Sequence, residues 1–278
     1  MANHLSREKQ LGVLAALVEG NSERGAERIA ERNEHPVSRP TINKLALSLG
    51  TSAWWLHNSM AFGLRAEDIE QDEVWSYVRK KQARCTPEES AAGLGEAYSF
   101  VSFAMPARYV ITWAVGKRTQ ETATGFELDT RARCAVMPRI TTDGFNGYPA
   151  AIGGAFGVGV DYSQGVKHYR HGGAKDDDHR YEPARDPFLT KHVIFGAPDL
   201  ATSTTAHLER FNGTTRHING RMRRLVYAFS KDPEHHAAAV ALHLLDERLP
   251  VAQLHYHGLP ELGADRVDPT AEGVGAPR

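Results

Sequence analysis

Three acidic residues, Asp72, Asp143 and Glu209, stand where a two-cation phosphoryl-transfer centre would need its ligands. Asp72 opens the run Asp72-Glu73-Val74-Trp75-Ser76-Tyr77, which alternates like a half-buried strand. Asp143 closes a second strand-like run, Arg139-Ile140-Thr141-Thr142-Asp143, and Gly144 follows at once. Glu209 begins a long helical pattern that becomes strongly basic. Carboxylates at two strand ends and on one helix can converge on a pair of divalent cations. Two such ions about 3.5–4 Å apart stabilise both the attacking and the leaving oxygen of a phosphoryl displacement. Carboxylate ligation that leaves room for waters and phosphate oxygens suits two Mg2+ (or Mn2+) ions.

These ligands need elements to position them. Strand alternation puts Asp72, Val74, Ser76 and Val78 on one face and Glu73, Trp75 and Tyr77 on the other. Asp72 and Glu73 are therefore not expected to point into one site. A second strand is expected over Ala97–Met105 and a third over Tyr109–Val115. A helix over Gln120–Arg133 then leads to the strand ending at Asp143 and a helix near Tyr148–Phe156. Three antiparallel strands and a crossover helix set the ends of the first and fourth strands side by side. The expectation is an α/β fold, a mixed sheet with helices packed on it.

The last helix carries the sharpest pattern. Leu208, Phe211, Thr215, Ile218, Met222 and Leu225 form one apolar stripe at alternating steps of three and four. Glu209, Asn212, Arg216, Asn219 and Arg223 repeat those steps one residue later, about 100° around the helix. From Arg210 to Lys231 there are six basic residues and no acidic one. That local stripe, rather than the net charge of −1, is what can meet phosphates.

Residues 1–60 read as three short helices. The first spans roughly Arg7 to Val18, with Leu11, Leu14, Leu17 and Val18 on one side; Gly20 stops it, and Asn21 or Ser22 caps the next. A third helix, residues 38–49, has Pro40 in its first turn, buries Ile42, Leu45 and Leu49, and ends at Gly50. Arg39, Thr41, Asn43, Lys44 and Ser48 then face outward. This is a helix-turn-helix pattern whose recognition helix would present Arg39, Thr41, Asn43 and Lys44 to a DNA major groove. The same pattern also describes a small helical bundle with no DNA role.

The chain resembles the DDE transposases, a superfamily with a ribonuclease-H-like catalytic core that includes retroviral integrases. Within it the insertion-sequence transposases of the IS-one group are the nearest match. The resemblance runs from about residue 5 to residue 245. It rests on Leu5-Ser6-Arg7-Glu8-Lys9 with Leu17-Val18-Glu19-Gly20-Asn21-Ser22, Asp72-Glu73-Val74-Trp75-Ser76 and Val115-Gly116-Lys117-Arg118. It continues through Thr141-Thr142-Asp143-Gly144-Phe145, Glu209-Arg210-Phe211-Asn212, Arg223-Arg224-Leu225 and Phe229-Ser230-Lys231. Among 34 acidic residues many trios can be drawn, and a lone Asp at a strand end is more often a cap or an ion-pair partner. The order and flanks of these motifs single out Asp72, Asp143 and Glu209.

The resemblance implies a helix-turn-helix DNA-binding domain over residues 1–60 and a ribonuclease-H-like catalytic domain over 66–245. It implies a transposase that binds the terminal inverted repeats of an insertion sequence and carries out metal-dependent strand cleavage and transfer into target DNA. Asp72, Asp143 and Glu209 would be the catalytic metal ligands. Arg216, two helical turns past the glutamate, would contact phosphate near the scissile bond, and Arg221, Arg223 and Arg224 would hold the backbone. Joining two ends implies a homodimer or higher assembly on double-stranded DNA.

Two departures from the pattern qualify this. Relatives carry an Asp and a Lys where this chain reads Phe103-Ala104-Met105-Pro106-Ala107-Arg108, and the chain departs again after about residue 245. Residues 246–278 are Gly-, Pro- and Asp-rich and are expected to be disordered. A frameshift would produce such a tail. The alternative reading is thus a catalytically decayed transposase remnant that acts only as a DNA-binding protein.

Composition excludes other classes. The 278 residues are 41% hydrophobic and 24% charged, enough for a buried core. No run of 18 apolar residues suggests a membrane span. Cys85 and Cys134 are far apart, which argues against a Cys-based zinc ribbon and favours a reducing, cytoplasmic setting, bacterial or archaeal and nucleoid-associated. The acidic run Asp176-Asp177-Asp178 reads as a solvated loop, and His235, His236, His255 and His257 as surface or tail residues. Sixty-six residues separate Asp143 from Glu209, which calls for extra structure over residues 157–200.

Overall fold

The computed structural model describes residues 5–170, 185–223 and 226–247. Three helices come first: α1 (Arg7–Val18), α2 (Glu23–Arg32) and α3 (Arg39–Met60). The Ser6 hydroxyl caps α1 by accepting from the Lys9 amide, and the Ser22 hydroxyl caps α2 by accepting from Gly25. Gly20 ends α1 with φ +78°, a conformation that favours glycine. Val13, Ala16, Ala26, Ala30, Val37 and Ile42 make the small core of this unit. The first helix is rotated from its expected setting, for Leu11 is exposed and Val13 and Ala16 take the inner face.

The α3 helix does not stop at Gly50. It runs 22 residues to Met60, because its second half has a partner in α8 (Pro233–Glu247). Ala53 of α3 packs with Ala241 and Leu242 of α8. A propensity-based stop gives way to tertiary packing.

Residues 68–195 build a six-stranded mixed sheet, helices on both faces, in the order β3-β2-β1-β4-β5-β6. The strands are β1 (Asp68–Val78), β2 (Gly95–Met105), β3 (Tyr109–Gly116), β4 (Arg139–Asp143), β5 (Asp161–Arg170) and β6 (Arg185–Phe195). A short α4 (Pro87–Ala91) lies between β1 and β2. β1, β2 and β3 run antiparallel; β4 returns through α5 (Gln120–Arg133) to lie parallel to β1. After α6 (Tyr148–Phe156), β5 adds parallel to β4 and β6 antiparallel to β5. These two strands are the extra structure that the long second spacing requires. The layering is compatible with a ribonuclease-H-like arrangement.

Alternation divides the strand residues between two cores. Ile69, Phe100, Ile111 and Ile140 meet Phe126 of α5 and Tyr148 and Ile152 of α6. Val74, Val101, Phe103 and Val110 meet Leu208 and Phe211 of α7 (Ala206–Ile218) and Val240 and Leu244 of α8. The faces of the β1 residues near the middle of the sheet follow: Ile69, Gln71 and Glu73 look to α5 and α6, and Glu70, Asp72, Val74 and Ser76 to α7 and α8.

The basic helix is shorter than its stripe suggests. It ends at Ile218, and Asn219 breaks it. The Asn219 side chain accepts from the Arg221 amide and opens a 3-10 turn over Gly220–Met222. Asn competes with the helix by bonding its own neighbourhood, and Gly follows it. Met222 still reaches the core, but from that turn, and Leu225 lies outside the described residues together with Arg224. The Asp176-Asp177-Asp178 run, His255, His257 and residues 248–278 of the tail also lie outside them. No helix among the described residues is long and apolar enough to cross a membrane.

Candidate metal centre

Asp72 and Asp143 come together where two parallel strands part. The β1–β4 register ends at Gln71 paired with Thr142, so the next residue on each strand is one of the two aspartates. On β1, Glu70 and Asp72 look toward α7. The Glu70 carboxylate accepts from the Leu208 amide at 2.8 Å and from His207 Nδ1 at 2.7 Å, which pins the first turn of α7 to the strand. A carboxylate on free amides at a helix start is favourable on both hydrogen-bonding and dipole grounds. Asp72 accepts from Asn212 Nδ2 at 2.8 Å and from the Glu73 amide at 2.8 Å. Asp143 accepts from the Phe145 amide at 3.1 Å, which fixes the turn after β4.

Glu73 joins this group, against expectation. Its backbone faces α5 and α6, as alternation requires, and its carboxylate accepts from the Tyr148 hydroxyl at 3.0 Å. Yet one oxygen each from Asp72, Glu73 and Asp143 lie within 4.8 Å of one another. The reason is that β4 does not continue beside β1 past Gln71, and the next backbone on that side, Ser230, bridges β1 only at Val78. With no backbone wall between the faces, the longer Glu73 side chain reaches the same gap as Asp72.

Glu209 is on the correct helix and in its first turn, but it stands outside that trio. Its carboxylate accepts from Lys167 Nζ at 2.5 Å and from the Thr205 hydroxyl at 2.8 Å. Its charge still contributes to raising the carboxyls of Asp72 and Asp143. Arg118 lies across the other side. It pairs with Glu73, sits 3.5 Å from Asp143 Oδ2 and stacks over the Phe145 ring at 4.3 Å. Arg118 and Lys167, which no spacing or pattern marks as site residues, both bring positive charge to a site with four carboxylates.

The electrostatics follow from burial and crowding. Loss of water, then the neighbouring Asp143, pushes the Asp72 carboxyl up to about 6. The same two causes push Glu73 up to about 7, against the pull of Arg118. Asp143 is also raised, chiefly by burial, while Phe145, Arg118 and Lys167 pull it down. An oxygen-only donor set of this kind fits a hard divalent cation such as Mg2+ or Mn2+. Asp72, Glu73 and Asp143 could together hold one ion, and Glu209 is not part of that group.

Three of the DNA-contact candidates, Arg39, Arg221 and Arg223, line one cavity between the N-terminal helices and the turn after α7. Arg39, Thr41 and Lys44 are exposed at the start of α3. Asn43, expected to face outward, is turned inward: its Nδ2 donates to Glu23 at 3.2 Å and its Oδ1 meets His235 Nε2 at 3.0 Å. Arg216 is half-buried on α7. Arg221, beyond the helix break, pairs with Glu23 at 3.3 Å and donates to Ser230. Arg223 is exposed and donates to the His217 carbonyl. His236, expected at the surface, is buried between the Ser76 and Ser230 hydroxyls. No protein-family model matches the chain, and no curated protein matches it in sequence.

Proposed function

We propose that the chain is a divalent-metal-dependent DNA transposase of the DDE type, with a ribonuclease-H-like core over residues 66–245. The observation that carries this reading is the meeting of Asp72 and Asp143 at the parting ends of adjacent parallel strands, with α7 tied over them by Glu70. Bound divalent ions would supply charge neutralisation at the phosphate and an activated water. In cleavage the water oxygen bonds to phosphorus and the P–O3′ bond breaks, leaving a 3′-hydroxyl. In transfer that hydroxyl oxygen attacks a target phosphate and displaces another 3′-oxygen. Asp72 and Asp143 would hold the cations, and Glu209 would join them from α7. The exposed Arg39, Thr41 and Lys44 at the start of α3 would engage the terminal repeats as a helix-turn-helix does, and Arg216 and Arg223 would steady backbone phosphates. Acting on two ends at once would require at least a dimer.

The test is a labelled duplex covering the DNA that flanks the coding sequence, incubated with the full chain in Mg2+ or EDTA beside Asp143→Asn. Metal-dependent nicking that the substitution abolishes is the expected result. Full nicking by Asp143→Asn would sink the assignment. Duplex binding with no nicking under any condition would favour the non-catalytic DNA-binding remnant. The Lys167–Glu209 pair is the structural feature consistent with that second reading, because it holds a proposed ligand away from the other two.

A further inference from the structure

We propose that Asn212 is the residue through which α7 shapes the cation site, positioning the Asp72 carboxylate and offering its own side-chain oxygen to the bound ion's surroundings. This rests on the reading of Asp72 and Asp143 as cation ligands. Asn212 is only 1% exposed and lies one turn past Glu209. Its Nδ2 donates to Asp72 Oδ2 at 2.8 Å, while the Glu73 amide holds Oδ1. With both carboxylate oxygens fixed, Asp72 cannot swing away from Asp143. The reverse orientation of the amide would set two acceptors against each other, so the bond also fixes where Asn212 Oδ1 lies.

That oxygen is buried and has no donor among the described residues. A buried acceptor left unsatisfied is costly, and such groups mark places where a ligand or ion completes the structure. Here the acceptor belongs to an amide already bonded to a candidate ligand, at the edge of an all-oxygen cluster. A hard divalent cation, or the hydration such an ion carries, is the chemistry that an amide oxygen and carboxylates satisfy together. Glu209, the expected α7 ligand, is meanwhile occupied by Lys167 and Thr205.

The experiment is a Mn2+ titration of the full chain by calorimetry, with Asn212→Ala, Asn212→Leu and Asp143→Asn beside it, folding checked by circular dichroism. Groups that orient metal ligands typically contribute about 10–100-fold in affinity. Asn212→Ala is expected to weaken Mn2+ binding by about tenfold or more. Asn212→Leu, which keeps the volume and removes both the donor and the acceptor, is expected to weaken it as much. A change of less than about threefold in a folded Asn212→Ala would overturn the proposal. Should that variant not fold, Mn2+ binding by Asn212→Leu within about threefold of the parent overturns it and weaker binding upholds it. A parent chain with no Mn2+ binding sensitive to Asp143→Asn would instead overturn the cation site itself.

Discussion

Gly50 of α3 and Ala238 of α8 meet backbone to backbone: a Cβ built on Gly50 would lie 2.5 Å from the Ala238 Cα and 2.6 Å from its carbonyl oxygen. Neither atom is the end of a flexible side chain, so the crossing cannot yield without moving a helix. Gly50→Ala is therefore expected to destabilise, although Gly→Ala inside a helix ordinarily stabilises by about 1 kcal/mol. Overpacking of this kind costs about 1–3 kcal/mol, and a backbone clash belongs at or above the top of that range. Gly12→Ala in α1 is the control, because a Cβ there meets nothing within 4 Å. Denaturant midpoints should fall for Gly50→Ala and rise for Gly12→Ala; a rise in both would deny that the α3–α8 crossing is this close.

The same pair of residues shows what the sequence could and could not disclose. Gly50 reads as a helix stop because propensity is local, yet α3 runs on through it, and the contact with Ala238 that its missing side chain permits joins positions far apart in the chain. Likewise the stripe through Leu208, Phe211 and Thr215 is legible because it is periodic, but it runs on past Ile218, where the Asn219 side chain accepts from the Arg221 amide and the helix ends. The dipeptide Asn219-Gly220 is a turn signal in its own right. The strand end at Asp143 and the helices Gln120–Arg133 and Tyr148–Phe156 follow their local patterns, whereas Asp72, read as opening its strand, lies inside β1, which begins at Asp68. Alternation misplaces Glu73 because it says which face a side chain leaves by, not whether a neighbouring strand still separates the faces. Glu70 shares Asp72's face but carries no local signal, because its partner is the start of α7, more than a hundred residues on.

Arg118 holds together carboxylates that would otherwise repel. Glu73, whose side chain is 3% exposed, depends on it, and Asp143 lies 3.5 Å from its Nη2. Removing one partner of a fully buried pair costs about 3–5 kcal/mol, and less here because the guanidinium is 37% exposed. Arg118→Gln should lower the melting temperature of the metal-free protein more at pH 8 than at pH 5.5, where Glu73 can take a proton and shed its charge. Mn2+ should restore more stability to this variant than to the parent. A pH-independent loss with no extra response to Mn2+ would mean that Arg118 acts by packing on Phe145 alone.

Glu127 of α5 sets an alkaline limit on stability. It is fully buried, the only side-chain hydrogen bond it has among the described residues comes from Gln71 Nε2 at 3.1 Å, and burial pushes its carboxyl up to about 8 from an ordinary value of 4.5. Between those values the folded chain keeps a proton that the unfolded chain has released. Stability linked to this group is thus fully present below about 4.5 and is lost as pH rises to about 8, at a slope of up to about 1.4 kcal/mol per pH unit. Asp72 and Glu73, also raised, add to the same limb in the metal-free protein. Glu127→Gln keeps the shape and an acceptor for Gln71. It should leave urea midpoints nearly unchanged at pH 4.5 and raise them at pH 8; equal midpoints of variant and parent at pH 8 would show that Glu127 carries its charge without penalty.

The acid limit has the opposite sign and a different origin. His236, between the Ser76 and Ser230 hydroxyls, and His243, 3.0 Å from the Thr215 hydroxyl, are both buried on α8. Burial pulls each down to about 4 from 6.5, with Arg221 adding to the effect at His236. As pH falls below 6.5 the unfolded chain takes up protons that the folded chain refuses. Their contribution is therefore complete above about 6.5 and is lost progressively as pH falls through about 4. Both rings sit where α8 joins the sheet and α7, so acid should loosen that helix and, through Gly50, its hold on α3. Urea midpoints measured from pH 7 to pH 4 should fall, and His243→Gln should flatten the fall by about one proton's worth of slope. A variant as acid-sensitive as the parent would show that His243 is already protonated in the fold.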